Sequence, residues 1–266
     1  MTENDQNKQP MISVKDLWKA YGKHQVLKGL NLEVFEGETV VILGRSGVGK
    51  SVLLRQIIGI ESPDKGSISI SGQPITNMSR KEKMEARKSI GMLFQGSALF
   101  DSMNIGENIA FYLRQHENKL KEEVVSNRVK EALEMVGLEG IQKKMPSELS
   151  GGMRKRAALA RLVIYRPQIV LYDEPTTGLD PITAMQINEL INKTKAGLKA
   201  TSIVVTHDIR SAVEVGDKLA FHDNGIITHI AKPKDFFAID DPQLQSFFNN
   251  AVLNINIREA KKQEPS

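Results

Sequence analysis

The 266-residue sequence predicts an α/β fold built on a mostly parallel sheet, with an antiparallel β portion near the N-terminus and a helical lobe inserted mid-chain. Three observations predict it. Short apolar runs alternate with amphipathic stretches of helical length over most of the chain. A glycine-rich loop joins one of those runs to the stretch that follows it. Between Gln95 and about Arg166 the apolar spacing becomes purely helical, and strand-helix alternation then resumes.

The elements follow in order. MTENDQNKQP, residues 1–10, reads as a polar leader with neither the apolar centre of a signal peptide nor the arginines of a transit peptide. Residues 12–43 alternate β-rich runs with the turn residues Tyr21-Gly22-Lys23 and Glu36-Gly37-Glu38, which predicts several strands. SVLLRQIIGI has helical spacing, ISISG reads as a strand, and Ser79 with Glu82 forms a capping box that opens a helix in SRKEKMEARK. SIGMLF returns to strand. The lobe contains NIGENIAFYLR, then SNRVKEALEMVGL with Val129, Leu133 and Val136 on one face, then MRKRAALARLVIY, ending before Pro167. QIVLY, ITAMQINELINKTK, TSIVVT, a helix after His207, KLAFH and IITHI complete the alternation. The expected organisation is one domain over residues 11–240, with a core of about 11–94 and 167–240 and a lobe of about 95–166. Residues 241–266 are expected to form a C-terminal helix and a polar tail.

Composition narrows the function. The chain is 40% hydrophobic and 26% charged, with a net charge of +4 from 36 basic and 32 acidic residues. The basic residues, among them Arg154, Lys155 and Arg156, are scattered, and so read as a solvated face rather than a nucleic-acid patch. The absence of cysteine excludes disulfides and thiolate metal sites and fits a reducing compartment. The apolar runs fall far short of the ~20 residues that cross a bilayer, so any crossing is left to another chain.

GRSGVGKS, residues 44–51, matches the G-x-x-x-x-G-K-[ST] phosphate loop and lies where that loop must lie, between a strand and a helix. Gly44, Arg45, Ser46, Gly47, Val48 and Gly49 supply backbone N–H groups to the phosphates of ATP. Lys50 neutralises their oxygens, and Ser51 gives a hydroxyl to Mg²⁺. QIVLYDEP ends an apolar strand in two carboxylates that point in different directions. Asp173 is expected to hold Mg²⁺, and Glu174 to orient or deprotonate the attacking water. His207, just past another strand end, is expected to reach the γ-phosphate and fix that water. Gln95, at the start of the lobe, is assigned to Mg²⁺ or the water as a sensor, and Tyr21 to stacking on a purine. The remaining histidines show no metal-ligand spacing and take no assigned role.

ELSGGM, residues 148–153, is a second phosphate-binding turn at a helix start: Ser150, Gly151 and Gly152 precede the MRKRAALARLVIY run. Intervening helices are expected to hold it away from Lys50, so one copy cannot readily close both sites on one nucleotide. Two copies head to tail can, each lending its SGG turn to the γ-phosphate held by the other, with Asp180 of TTGLD at the same seam.

This ordered set of Tyr21, GRSGVGKS, Gln95, LSGGM, Asp173-Glu174, TGLD and His207 resembles the ATP-binding cassette family from about residue 11 to 240. The resemblance implies a P-loop NTPase with a RecA-like core and an ATPase working as a homodimer on a separate permease. MLFQGSALFDSMNIGENIAFYLRQH and MPSELSGGMRKRAALARL closely resemble the ATPase subunit of Mla and Mce-type phospholipid transporters. That implies an MlaE-like transmembrane permease, an MCE-domain substrate-binding protein and a STAS-domain regulator as partners, and a place on the cytoplasmic face of the inner membrane. Met153 stands where the family signature usually has glutamine, a departure common in this subfamily. The rival readings are the ATPase of another importer, such as one for amino acids, and a soluble clamp acting on DNA or ribosomes. The chain lacks the long coiled coils or tandem cassettes of such clamps.

Overall fold

The computed structural model describes residues 9–45, 47–76, 78–117 and 119–250. Ser46 and the polar tail beyond 250 therefore lie outside the described residues, as does most of the leader.

Six strands make the central sheet: β3 (Thr39–Leu43), β6 (Ile90–Leu93), β7 (Ile169–Asp173), β8 (Thr201–Thr206), β9 (Lys218–Asp223) and β10 (Ile226–Ala231). Their order is β10-β9-β3-β8-β7-β6, parallel except for the antiparallel edge strand β10. A parallel sheet covered on both faces needs strands that are apolar throughout, and TVVIL and IVLYD are buried at every position. Period two then divides them between two cores. Val40 and Ile42 join Ile169, Leu171, Ile203 and Val205 on one face, while Val41 and Leu43 join Val170, Tyr172 and Val204 on the other.

The first face packs on α1 (Lys50–Ile57) and on an antiparallel sheet of β1 (Ile12–Tyr21), β2 (His24–Val34), β4 (Lys65–Ile70) and β5 (Gln73–Pro74), in the order β2-β1-β4-β5. The second face carries α6 (Pro181–Leu198), α7 (Ile209–Val215), α8 (Pro233–Phe236) and the lobe helices α3 (Ile105–His116), α4 (Glu122–Met135) and α5 (Gly151–Val163). The lobe shares one continuous core with the sheet, from Leu133 and Leu159 to Val41 and Tyr172. Residues 242–250 are helical, and Leu244, Phe247 and Phe248 bury against Phe221 and Phe236, so the C-terminal helix is docked on the core.

The helix starts follow local chemistry. The expected capping box opens α2 (Arg80–Arg87), with the Glu82 N–H donating to Ser79 and the Ser79 N–H to Glu82. Asn104 and Glu107 make a second box at α3.

Register sets the site. Leu43 pairs with Thr206 and with Phe221, and Asp173 pairs with Val205. The carboxyl ends of β3, β7 and β8 are thus level, and the segments after them open on the same edge.

Candidate active site

The loop after β3 makes a sharp turn into α1. Gly47 has φ 83° and Gly49, the N-cap of α1, has φ 107°, both in the left-handed half of backbone space that favours glycine. A Cβ at Gly49 would lie 2.5 Å from Val26 Cγ1, and one at Gly44 would lie 2.5 Å from the His222 carbonyl oxygen. The loop is therefore seated directly on β2 and β9. No side chain caps α1, so its first-turn N–H groups remain directed into the cleft rather than onto a capping residue.

Lys50 is buried, and its ammonium donates to the carbonyls of Gly44 (2.7 Å) and Arg45 (2.9 Å) while standing 3.6 Å from Glu174 Oε1. Burial lowers its pKa, and the charges of Glu174 and Asp173 pull the other way. Ser51 donates its hydroxyl to Asp173 Oδ1 at 2.7 Å. Burial raises the Asp173 carboxyl pKa, opposed by that hydrogen bond.

Asp173 and Glu174 do diverge, one to Ser51 and the other to His207. Glu174 has φ 49°, an uncommon conformation for a residue with a side chain, and its N–H donates to Val205 O at 2.9 Å. Its Oε2 pairs with His207 Nδ1 at 2.9 Å and accepts from Thr177 (2.9 Å) and Thr206 (3.4 Å). Burial works against the Glu174 charge, yet the His207 bond and the His207 and Lys50 charges leave its pKa lowered. The same bond raises His207.

Gly47, Gly49, Lys50, Ser51, Gln95, Glu174 and His207 all line one cleft of about 340 Å³. Gln95 lies two residues beyond the end of β6, in the turn leading to the lobe. His24, Val26 and Thr177 also line the cleft and were not singled out in the sequence. Tyr21 is half exposed at the end of β1, opposite His24 in the β1–β2 register, with its hydroxyl bonded to Glu61. His24 lines the cleft and Tyr21, its register partner, does not.

Ser150, Gly151 and Gly152 do not line this cleft. Ser150 is the N-cap of α5 and accepts from the Met153 N–H at 3.2 Å. A Cβ at Gly152 would lie 2.5 Å from Thr183 Cγ2, so the SGG turn is packed against the start of α6. Asp180 caps α6 there, accepting from Ile182 N, Thr183 N and the Thr183 hydroxyl.

In the basic run after the SGG turn, Arg154 is exposed as expected, Arg156 is half-buried, and Lys155 departs from the expected solvated face. Lys155 is buried, and its ammonium donates to Glu174 O (3.0 Å) and Gln95 O (3.2 Å). Arg154 bonds Leu149 O, and Arg156 bonds Gly137 O. A cluster of lysine and arginine on a helix reads as surface unless the packing around it is known.

A strand-loop-helix phosphate site with a strand-borne carboxylate pair defines a P-loop nucleotide-hydrolysing protein. Comparison with known proteins narrows this. Residues 27–177 match the ABC transporter family model. A probable ribonucleotide transport ATP-binding protein, mkl, of Mycobacterium leprae is 42% identical over 94% of this chain and 72% of its own. The intermembrane phospholipid transport system ATP-binding protein MlaF of Haemophilus influenzae is 43% identical over 79% of each chain. The methionine import ATP-binding protein MetN of Clostridium tetani is 37% identical over 91% of this chain and 76% of its own. A dimeric, post-hydrolysis ATP-binding cassette with ADP and Pi superposes with a TM-score of 0.78 at 32% identity, over 84% of this chain and 99% of that one. The chain belongs to the ABC transporter family and is an ATP-binding, ATP-hydrolysing cassette that works with a transmembrane permease. Among the described residues no helix is long and apolar enough to cross a membrane.

Proposed function

We propose that this chain is the ATPase subunit of a phospholipid transporter of the Mla/Mce type, hydrolysing Mg-ATP between two copies of itself. The observation that carries the catalytic part is the convergence of Lys50, Ser51, Asp173, Glu174 and His207 on one cleft edge. The loop N–H groups from Gly44 to Gly49 and the start of α1 cradle the β- and γ-phosphates, and Lys50 turns from its carbonyl partners to their oxygens. The donors Ser51 Oγ, Asp173 and the Gln95 amide are hard oxygens with room for phosphate and water, which suits Mg²⁺. When bound, Mg²⁺ supplies charge neutralisation at the phosphates. Glu174, kept ionised by His207 and Lys50, takes the proton of the attacking water, and His207 steadies the γ-phosphate side. Tyr21, paired in register with the cleft-lining His24, would stack on the adenine. Ser150, Gly151 and Gly152 of each copy close the nucleotide held by the other, with Asp180 holding the adjacent turn.

For the transported substrate, the LSGGM signature, the segment after Gln95 and the likeness to MlaF favour lipid. The proposed partners are an MlaE-like permease, an MCE-domain protein and a STAS-domain regulator, at the cytoplasmic face of the inner membrane. The likeness to MetN favours a second reading, an amino-acid importer with the same catalytic residues. Tagged chain purified from native membranes in mild detergent tests both. Recovery of the MlaE-like permease with phospholipid-stimulated ATPase activity is expected, and recovery of an amino-acid permease in its place overturns the lipid reading.

A further inference from the structure

Lys155 is one of the buried charged side chains among the described residues, and its ammonium donates to main-chain oxygens. It sits one turn and a half along α5 from Ser150 and reaches two main-chain oxygens on separate segments: Glu174, at the end of β7, and Gln95, in the turn that leads into the lobe. One ammonium therefore joins the SGG helix, the lobe's entry turn and the peptide of the proposed base.

That peptide is held on both sides. Glu174 adopts a left-handed φ of 49°; its N–H is tied to β8 through Val205 O, and its carbonyl accepts from Lys155 of α5 at 3.0 Å and from the Thr177 N–H at 3.3 Å. Moving α5 relative to the sheet must therefore rotate the Glu174 peptide or break the Lys155 bond. Burial pushes the Lys155 ammonium pKa down, and the nearby Glu174 and Asp173 charges oppose that shift.

We propose that Lys155 is a positioning residue that couples the SGG helix to Glu174. The coupling rests on the reading in which ATP is closed between two copies. In that assembly each α5 meets the partner's nucleotide at Ser150 and its own site's base through Lys155, so closure around one ATP sets the direction of Glu174 at the other. Lys155 touches neither substrate nor metal and acts through the Glu174 and Gln95 main chain.

The test uses full-length chain with Lys155→Met, which keeps the length and removes the donor, and Lys155→Gln, which keeps a neutral donor. Steady-state ATPase kinetics should show kcat reduced on the order of ten- to a hundredfold in Lys155→Met, the scale of losing hydrogen bonds from a charged donor, with KM changed less than about threefold. Lys155→Gln should recover part of kcat. Size-exclusion chromatography of Glu174→Gln and of Glu174→Gln with Lys155→Met, each with Mg-ATP, should give the dimer in both. A Lys155→Met kcat within about twofold of wild type overturns the coupling, as does Lys155→Gln no better than Lys155→Met. Loss of the ATP dimer in the double variant alone reduces Lys155 to a structural prop. Absence of the dimer in Glu174→Gln itself refutes the sandwich, and the coupling with it.

Discussion

Two alanine substitutions in the phosphate loop separate backbone strain from steric fit. Gly47 and Gly49 both have positive φ, 83° and 107°, so alanine at either costs about 1–2 kcal/mol from the backbone alone. At Gly47 a new Cβ meets nothing within 4 Å, so the cost ends there. At Gly49 the Cβ would stand 2.5 Å from Val26 Cγ1 and 3.2 Å from Val26 O, contacts β2 cannot relieve without moving, and overpacking adds about 1–3 kcal/mol. Gly49→Ala should therefore lose about 2–5 kcal/mol, a large part of the ~5–15 kcal/mol that holds a domain folded. Gly47→Ala should lose only the strain. Urea denaturation without nucleotide gives the two stabilities, and titration with a fluorescent ATP analogue gives the affinities of whatever remains folded. Equal midpoints for the two variants would refute the claim that the loop is seated on Val26.

Other outcomes follow from the same geometry. His207→Ala should lower kcat strongly with a modest change in KM, because its contact matters most in the transition state; a change confined to KM would remove that role. The His207–Glu174 pair also has a pH signature. The His207 pKa is raised above its ordinary 6.5, so its stabilisation is full below that value and is lost as pH rises through the raised pKa. The Glu174 pKa is lowered below its ordinary 4.5, so its share is present above that value and is lost as pH falls through the lowered pKa. The urea-midpoint difference between wild type and His207→Ala, measured without nucleotide or magnesium, should shrink from pH 6 toward pH 9. A difference that grows over that range contradicts the pairing. Asp180→Ala removes the acceptor for the first N–H groups of α6 and should lower the urea midpoint in the same denaturation assay; an unchanged midpoint would show that the cap is idle.

Much of the site was legible because its signals are local. The loop from Gly44 to Ser51 lies within eight adjacent residues between a strand and a helix. The divergence of Asp173 and Glu174 was expected from strand alternation, but Glu174 lies past the strand end at φ 49°, so the backbone turn there separates the two carboxylates. The Ser79–Glu82 box is likewise a three-residue spacing. Strand order was not legible: nothing near β3 says that β8 and β9 flank it, since that pairing joins residues far apart in sequence. Lys155 was misread for the same reason. Its neighbours Arg154 and Arg156 suggest a solvated run, whereas the oxygens that receive it belong to Gln95 and Glu174. His24 and Val26 reach the cleft only because β2 passes under Gly49.

The central claim is that each nucleotide is held by two copies of the chain. The structure of Glu174→Gln bound to ATP and magnesium tests it most directly. The account predicts two nucleotides per dimer, each with its β- and γ-phosphates on Lys50 of one copy and its γ-phosphate within hydrogen-bond reach of Ser150 of the other. Ser150 remote from every nucleotide in the closed assembly, or folded onto the ATP held by its own copy's Lys50, would contradict it.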